Sequence, residues 1–418
     1  QWNSLFAILN SPFLMHPTLF TLPGGIPITT YGFCMMVGFL LAVWLAMKRG
    51  MRVKADPDVV LNLGFFCLVG GVIGARLFYV AHYWRAQFAD RGNPWLAVLN
   101  FREGGMEFLG GFIGAAVIIV AYLVSTKRSL RLYLDILAPS VALGLAFGRI
   151  GCFFNGCCFG GVCLAENAPE PAPRYVWAVE FPYDSAAQRR QWEERRVTVP
   201  AELLFTAKDV VQPMPVPRDA IIMSPERREG PARNLRKAQE ALRKAKARNA
   251  DQEEVKPLER RVAVAKKGLE DQVKNSSLVT LYRAQQYPSR VVPSRKTSVS
   301  ELEDLAAQAH SLPVHPTQLY SSMNGFLMYG VLVALFYVRK RHGVVMAAFF
   351  VLYPVARFLL EGIRTDNPHD AAGLTASQFI SVVLFTIGVV SLIVLYKFMP
   401  ERSRYAVAWV PPKDEKSE

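Results

Sequence analysis

Charged residues inside apolar stretches are the features of this sequence most able to do chemistry. They are Arg76 in GVIGARLFY, Arg149 in FGRIGCFFNG, and Arg357, Glu361 and Arg364 in PVARFLLEGIR. The last three are spaced i, i+4 and i+7, which places them on one face of a helix. Because a charge within a membrane span is costly, each predicts a partner or a functional role.

Arginine is suited to a phosphate ligand, since its planar guanidinium forms paired, charge-assisted hydrogen bonds and keeps its proton. The structural alternative is that Glu361 neutralises Arg357 or Arg364 while the other arginines extend toward the membrane surface. One carboxylate cannot neutralise four arginines. The pattern therefore favours an anionic ligand.

Membrane-spanning helices must position these charges. Seven stretches are long and apolar enough to cross a bilayer: residues 28–47, 58–83, 106–124, 133–159, 318–338, 343–363 and 376–398. Together they predict an all-α polytopic membrane protein. Glycines four residues apart, such as Gly70 with Gly74 and Gly110 with Gly114, predict close packing between the spans.

Lys and Arg residues predict the orientation. They follow the odd-numbered spans, at 48–54, 127–131, 339–341 and 397–404, and none precedes the first span. Because cytoplasmic loops are enriched in these residues, we expect the N-terminus outside and the C-terminus in the cytoplasm, with 401–418 as a cytoplasmic tail. The loop after the second span is the exception, since it carries three arginines partly offset by two acids.

A long polar insertion, residues 164–313, separates the four spans within 1–163 from the three within 314–400. The predicted orientation places it outside the cytoplasm. Its first part mixes proline, aromatic and charged residues, and we expect short strands or irregular structure there. Apolar residues then recur at helical spacing over about 232–274, which predicts a helical hairpin bent near 249–257. A solvated, partly disordered charged segment is the alternative.

The excess of Lys and Arg over Asp and Glu raises the question of whether the chain binds lipid head groups or nucleic acid. The formal net charge is +14, from 48 Lys and Arg against 34 Asp and Glu. In a membrane protein such an excess belongs to cytoplasmic loops and lipid head groups rather than to nucleic-acid binding. We therefore expect membrane lipid, and no nucleic acid, as a partner.

Four of the six cysteines, Cys152, Cys157, Cys158 and Cys163, cluster at the end of the fourth predicted span. No histidine is nearby and the spacing matches no common zinc finger, so no metal is expected. Buried thiols are one alternative. A disulfide, with Cys158 and Cys163 as the pair, is the other, because the predicted topology places the cluster on the oxidising side.

Six motifs occur in order along the chain: YGFCMMVGF, GARLFY, GGMEFLGGFIGA, GRIGCFFNGCCFG, VHPTQLY and RFLLEGIR. The set resembles the prolipoprotein diacylglyceryl transferase family over about 28–163 and 314–398. The resemblance implies a seven-span enzyme of the bacterial inner membrane that needs no cofactor. Its implied reaction moves the diacylglyceryl group of phosphatidylglycerol to the thiol of a lipobox-containing preprotein and releases glycerol 1-phosphate.

The resemblance also implies site residues. Arg149 resembles the family's essential phosphatidylglycerol-binding arginine, and Arg357 resembles the second essential arginine, with Glu361 and Arg364 on the same face. Arg76 is a further expected contact to the substrate.

Four other residues fall on family motif positions: Tyr31, Asn155, Gly160 and His315. Tyr31 and Asn155 are expected to hydrogen-bond near the head group, although Tyr31 is equally explained as an interfacial aromatic anchor. His315 is a candidate acceptor of the thiol proton. Its alternative is a structural role at the start of the fifth span.

The chain departs from the family in the residues tied to proton transfer. Leu109 stands where many members carry a histidine that is a candidate base. Glu107, two residues earlier, either assists or is an interfacial carboxylate. Cys152 and Cys157 replace polar or acidic residues, and Ser321 replaces a frequent glutamate. These departures bear on the proton-transfer scheme more than on the phosphate site.

Three other classes compete with the enzyme. A transporter could also bind an organic phosphate with arginines, but the halves show no internal repeat and no paired broken helices. A membrane scaffold leaves the arginines unexplained. Detection of lipid-modified preprotein distinguishes the enzyme from the transporter and the scaffold. A non-catalytic relative that kept the fold is the third alternative, and the departures at Leu109 and Cys157 favour it.

Overall fold

Seven helices in the described part of the chain are long and apolar enough to span a membrane, which confirms the predicted all-α polytopic fold. The computed structural model describes residues 18–22, 26–88, 94–99, 105–164, 175, 177–207, 214–216, 218, 225–248, 252–274, 291–293, 299–364, 369–371 and 373–402. Two compact units emerge: a membrane unit, Pro17–Phe154 with Thr317–Glu418, and an insertion unit, Asn155–Pro316.

The membrane unit begins with an antiparallel hairpin that leads directly into the first spanning helix. Its first elements are β1 (Thr18–Leu22), β2 (Ile26–Thr29), α1 (Thr30–Arg52), α2 (Pro57–Tyr83), α3 (Pro94–Leu99), α4 (Phe108–Ser125) and α5 (Leu130–Phe154). Two side chains fix where helices start. Thr29 accepts a hydrogen bond from the Gly32 amide at the start of α1, and Asp56 caps α2 just before its proline.

The insertion unit has its own small core. Its elements are α6 (Ala186–Glu193), β3 (Leu204–Ala207), β4 (Met214–Pro215), α7 (Pro225–Ala247), α8 (Gln252–Lys274), β5 (Val291–Pro293) and α9 (Val299–Gln308). The strands form an antiparallel sheet in the order β4-β3-β5. Tyr183 is buried beside it, and its hydroxyl hydrogen-bonds to the carbonyl oxygens of Leu203 and Val216.

Helices α7 and α8 pack against each other and correspond to the hairpin predicted over 232–274. The Lys246 ammonium lies 2.8 Å from the Glu259 carboxylate across the pair. Helix α7 ends at Ala247 and α8 begins at Gln252, and Pro257 is accommodated inside α8. The chain therefore reverses between the two helices, and Pro257 lies within the second one.

The chain then returns to the membrane unit with α10 (Thr317–Val338), α11 (Val344–Glu361), β6 (His369–Ala371), β7 (Leu374–Thr375) and α12 (Ala376–Lys397). Helix α5 is central, since it packs against α1, α10 and α11, while α2 packs on α4 and α11 on α12. The core among these helices is apolar, with Leu63, Leu123, Ile136 and Leu332 fully buried.

Glycines let α2 and α4 touch backbone to backbone, as the four-residue spacing predicted. A Cβ atom at Gly74 would collide with the Gly110 carbonyl oxygen and lie 2.8 Å from the Gly114 Cα. A Cβ at Gly70 would lie 2.9 Å from the Gly114 carbonyl oxygen. No larger residue fits at these positions without moving one helix.

A buried carboxylate joins α5 to the start of α11. Asp135 is fully buried and accepts hydrogen bonds from the backbone amides of Gly343 at 2.7 Å, Val345 at 2.9 Å and Met346 at 3.1 Å. Arg339 lies 2.8 Å from its second oxygen. One carboxylate thus caps the free amides of a helix N-terminus and pairs with one cation.

The fourth span ends earlier than predicted. The sequence predicted helix to residue 159, whereas α5 ends at Phe154. Gly156 has a φ of +69°, a left-handed conformation that stops a right-handed helix. Asn155 and the residues after it therefore belong to the insertion unit.

Candidate functional site

A cavity in the membrane unit brings two of the predicted arginines together. Its cavity volume is about 30 Å³, and about 400 Å³ of empty space is reached when the part open to its surroundings is counted. Each of three helices contributes one stripe of residues to its wall: Ala142, Leu145 and Arg149 from α5; Ser321, Asn324, Gly325 and Met328 from α10; and Tyr353, Arg357 and Leu360 from α11. Arg149 and Arg357 are the charged residues of this wall.

Arg357 is held in place by two neighbours. One guanidinium nitrogen lies 2.5 Å from the Glu361 carboxylate, one turn further along α11. Another donates a hydrogen bond to the Ser377 hydroxyl of α12 at 2.8 Å. These contacts fix the guanidinium while part of the side chain still faces the cavity.

Glu361 is itself tied to the start of α12. Its other oxygen accepts a hydrogen bond from the Thr375 hydroxyl at 3.0 Å, and Thr375 is the N-cap of α12 in a capping box with Gln378. Arg364 lies 3.9 Å from Glu361 on the same side as Arg357. The buried carboxylate therefore serves two arginines and stands beside the positive end of a helix.

Arg149 comes from α5, where glycines allow close approach of other helices. A Cβ atom at Gly151 would lie 3.0 Å from the Tyr31 ring, and one at Gly325 would lie 2.9 Å from the Ala146 Cβ. Tyr31 thus rests on α5 two residues beyond Arg149, with 40% of its surface exposed. The close approach of α10 brings Asn324 and Ser321 to the same wall as the arginine.

Among the residues that the structure describes, the cavity wall carries two cations, Arg149 and Arg357, and no carboxylate. Arg357 and Arg364 share one carboxylate, and Arg149 adds a further positive charge to the cavity wall. The remaining polar groups of the wall, those of Ser321, Asn324 and Tyr353, are neutral. An anion with oxygen acceptors, such as a phosphodiester, complements this arrangement.

Arg76 lies in a different place. Its Nε donates to the Val98 carbonyl oxygen and its Nη1 to the Gly105 carbonyl oxygen, both at 2.9 Å. The side chain is buried and lies near the rings of Tyr79 and Phe88. These contacts hold the connection between α2 and α4, and Arg76 is not among the residues that line the cavity.

Asn155, Gly160 and His315 belong to the insertion unit. The Gly160 amide donates to the His315 carbonyl oxygen at 2.9 Å, and the His315 amide donates to Gly161 at 3.1 Å. The His315 ring lies 5.8 Å from that of Tyr175, and Asn155 is exposed. Backbone hydrogen bonds thus join the glycine end of one motif to the first residue of the HPTQLY motif within this unit.

Near Leu109, where many family members carry a histidine, Glu107 contacts His82. His82 Nδ1 lies 2.8 Å from a Glu107 carboxylate oxygen, joining the end of α2 to the start of α4. Leu109 is partly exposed. Glu107 thus has an ionisable partner that the sequence interpretation did not assign to it.

The cysteines are present as thiols. All six lie in described residues, and no disulfide joins any of them. The pairing of Cys158 with Cys163 is therefore wrong for this structure. Cys163 is buried, and its amide donates to the Pro313 carbonyl oxygen at 2.8 Å.

Sequence reasoning missed several residues around the arginines. Thr375 and Ser377 begin the last span, and the TASQ sequence there fits a capping box, a signal that was available. Asn324 is a polar residue inside a predicted span and was also detectable by type. Only the structure shows that these residues face Glu361, Arg357 and the cavity.

Comparison with known proteins gives a consistent family. A family model described as prolipoprotein diacylglyceryl transferase matches residues 17–217 and 274–394. A phosphatidylglycerol–prolipoprotein diacylglyceryl transferase of Rhodopirellula baltica is 28% identical over 406 residues, covering 90% of this chain and 74% of the relative. Relatives of that name from Proteus mirabilis and Salmonella arizonae are 36% and 34% identical over 40% of this chain, and the chain spans 53% of the length of each.

Proposed function

Because the chain belongs to the prolipoprotein diacylglyceryl transferase family, we propose that it transfers the diacylglyceryl group of phosphatidylglycerol to a lipobox cysteine thiol. The observation that carries the proposal is a pair of arginines, from α5 and α11, in the wall of one cavity of a membrane unit. The phosphate of the substrate lipid is an anion that complements these two cations.

The reaction is a displacement at carbon. The thiolate sulfur of the preprotein attacks the glycerol methylene carbon that carries the phosphate ester. A carbon–sulfur bond forms, the carbon–oxygen bond breaks, and the leaving group is glycerol 1-phosphate. The thiol proton goes to a base, for which His315 stays the predicted candidate.

The arginines act on the leaving group. A phosphodiester carries one negative charge, whereas the released phosphate monoester carries more, so negative charge grows on the phosphate oxygens during the reaction. Fixed cations aimed at those oxygens stabilise the transition state more than the bound lipid. Arg149 and Arg357 hold that role, and Glu361 orients Arg357 through the 2.5 Å ion pair.

The remaining predicted residues have secondary roles. Tyr31 lies against Gly151 and is proposed to hydrogen-bond near the head group. Asn155 and Gly160 keep the substrate-binding roles implied by the resemblance, and Arg364 supports Glu361. Arg76 donates to the carbonyl oxygens of Val98 and Gly105, which favours a role in holding the fold rather than in contacting the substrate.

The location proposed is the bacterial inner membrane, with the N-terminus outside and the C-terminus in the cytoplasm. The arginines of the predicted cytoplasmic loops lie near the end of the last span. Arg131 donates to the carbonyl oxygens of Pro400 and Arg402, and Arg341 donates to that of Met399 at 2.9 Å. One end of the membrane unit is thus basic, which supports the positive-inside assignment.

The test is an assay with purified full-length protein in phosphatidylglycerol liposomes, with a synthetic lipobox peptide as acceptor. The measured quantity is the peptide mass, which gains one diacylglyceryl group if the reaction occurs. We expect Arg149→Ala and Arg357→Ala each to lower the rate by about 100-fold or more, because each removes a group that stabilises the leaving phosphate. Arg128→Ala is the matched control, since Arg128 pairs with Asp56 on the surface.

The possible outcomes test two proposals separately: the transferase activity, and the assignment of Arg149 and Arg357 as the phosphate site. Modification by wild type and the control, but not by the two arginine variants, supports both. Modification by all four proteins keeps the enzyme and rejects these arginines as the phosphate site. If folded wild type modifies no peptide, the transferase proposal is wrong.

A further inference from the structure

The cavity wall extends from its arginines toward the middle of the membrane. Two neutral hydrogen-bond donors, Asn324 and Tyr353, lie in that inner part. Ser321 is one turn from the start of α10 and Arg357 is one turn from the end of α11, so the two lie at similar depth. Asn324 and Tyr353 lie one turn further inward on the same two helices. At 1.5 Å per residue, that is about 4.5 Å deeper for Asn324 and about 6 Å deeper for Tyr353.

Both donors are available to a ligand. Within the described ranges, no residue hydrogen-bonds to the Asn324 amide or the Tyr353 hydroxyl, whereas Ser321 donates to the Thr317 carbonyl oxygen at 2.7 Å. The Tyr353 ring stacks on Phe349 with 5.5 Å between ring centres, which restricts its rotation. Both side chains are half-buried, and Tyr353 lies close enough to Arg357 to interact with its charge. A bound ligand that accepts from both donors therefore adds hydrogen bonds beside the arginine.

A phospholipid supplies acceptors at that depth. Its acyl chains point toward the middle of the bilayer, so its two ester carbonyl oxygens lie inward of its phosphate. The innermost wall, with Ala142 and Met328, is apolar and suits the acyl chains that begin just beyond the esters. With the phosphate at Arg149 and Arg357, the esters therefore come level with Asn324 and Tyr353.

We propose that Asn324 and Tyr353 donate hydrogen bonds to the two ester carbonyl oxygens of the transferred diacylglyceryl group. This inference rests on the proposed function, because it takes the arginine end of the cavity to be the phosphate end. The carbon attacked by sulfur lies between the phosphate and the ester-bearing glycerol carbons, so the two sets of contacts hold it from both sides. The cavity then selects ester-linked over ether-linked phosphatidylglycerol.

The experiment compares two lipids that differ only in these acceptors. Diester and diether phosphatidylglycerol have the same head group and the same breaking carbon–oxygen bond, and kcat/KM is measured for each with full-length protein. We expect wild type to prefer the diester by about 25-fold, about fivefold for each hydrogen bond. Asn324→Leu and Tyr353→Phe each reduce the preference about fivefold, and the double variant brings it close to one.

Asn62→Leu is the matched control. Asn62 also lies inside a span, but its amide donates to the Tyr122 hydroxyl on α4 at 3.1 Å, away from the cavity wall. We expect this variant to keep the wild-type lipid preference. A double variant that still prefers the diester as strongly as wild type overturns the proposal, and so does a wild type that shows no preference.

A second readout keeps this inference separate from the transferase assignment. Retention of each lipid by detergent-purified protein is measured by native mass spectrometry, without a peptide and without turnover. Preferential retention of the diester by wild type, lost in the double variant, supports the contacts even if no transfer occurs. Equal retention of both lipids by wild type rejects them.

Discussion

Two buried carboxylates of the membrane unit, Asp135 and Glu361, each pair with arginine but differ in their other partners and in their surroundings. Asp135 pairs with one arginine and accepts from three backbone amides, so its acceptors are used and its charge is matched. Glu361 is shared between Arg357 and Arg364, and Arg357 also lines a cavity that holds Arg149.

The difference teaches how to distinguish a structural from a functional charge in a membrane span. At Asp135 one buried arginine matches the carboxylate and the partners are enclosed, which is what a helix connection requires. Within the described residues, Glu361 pairs with two arginines, and one of them, Arg357, faces an opening together with Arg149. An imbalance next to an opening, more than burial itself, indicates a ligand.

Removing the Asp135 carboxylate is expected to have the largest effect of the three changes considered. Asp135→Ala leaves Arg339 buried without its counter-charge and three amides without an acceptor, at a cost of about 3–5 kcal/mol of unfolding free energy. Thermal unfolding in detergent measures this cost. The double variant Asp135→Ala with Arg339→Leu should lose less, and Glu259→Ala at the exposed pair with Lys246 should change stability by at most about 1 kcal/mol. A single variant as stable as wild type would show that this cluster is not structural.

Removing the Glu361 charge is expected to affect activity more than stability. Glu361→Gln keeps the size of the side chain and the contact to Thr375, but it releases Arg357 from its ion pair. Loss of the fixed geometry should lower kcat about 10-fold to 100-fold, with a smaller fall in the unfolding temperature than for Asp135→Ala. Equal activity of Glu361→Gln and wild type would mean that Ser377 alone positions the arginine.

Mild acid is expected to produce the smallest effect, and to act on the Asp135 side. Burial, with the nearby charges of Arg339, Arg131 and Arg402, lowers the pKa of His342 from 6.5 to about 4. The unfolded chain therefore takes up a proton below about pH 6.5 while the folded protein does not, so stability is full above pH 6.5 and falls as the pH decreases toward 4. Unfolding temperatures at pH 7.5 and pH 5 measure the slope, and His342→Gln should make it shallower. An unchanged slope in the variant would assign the acid sensitivity to other groups.

Much of the membrane fold was predictable, because apolar length and periodicity decide whether a segment spans the bilayer. The spacing of Arg357 and Glu361 likewise predicted one helix face, and the structure pairs them. The end of α5 was not predictable from hydropathy, since the apolar run continues past the left-handed Gly156.

The site was predictable in its charges and not in its neutral groups. Arg149 and Arg357 stand out because a charge in a span is costly. Asn324 and Ser377 can be recognised only by residue type, which does not show which neighbour each one faces. Arg76 has the same cost as Arg149, and its loop carbonyl partners are visible only once the chain is folded. The roles of Asn155, Gly160 and His315 stay predictions.

The glycine contact between α2 and α4 restricts how a lipid diffuses into this protein. At Gly70, Gly74, Gly110 and Gly114 these two helices touch through backbone atoms, so rotation of a side chain does not open a gap at those positions. We therefore expect α2 and α4 to move as one rigid body. A lipid that enters the cavity from the bilayer is therefore expected to pass between other helices. A bulky residue at Gly74 should disturb the packing of α2 on α4 without blocking that entry route.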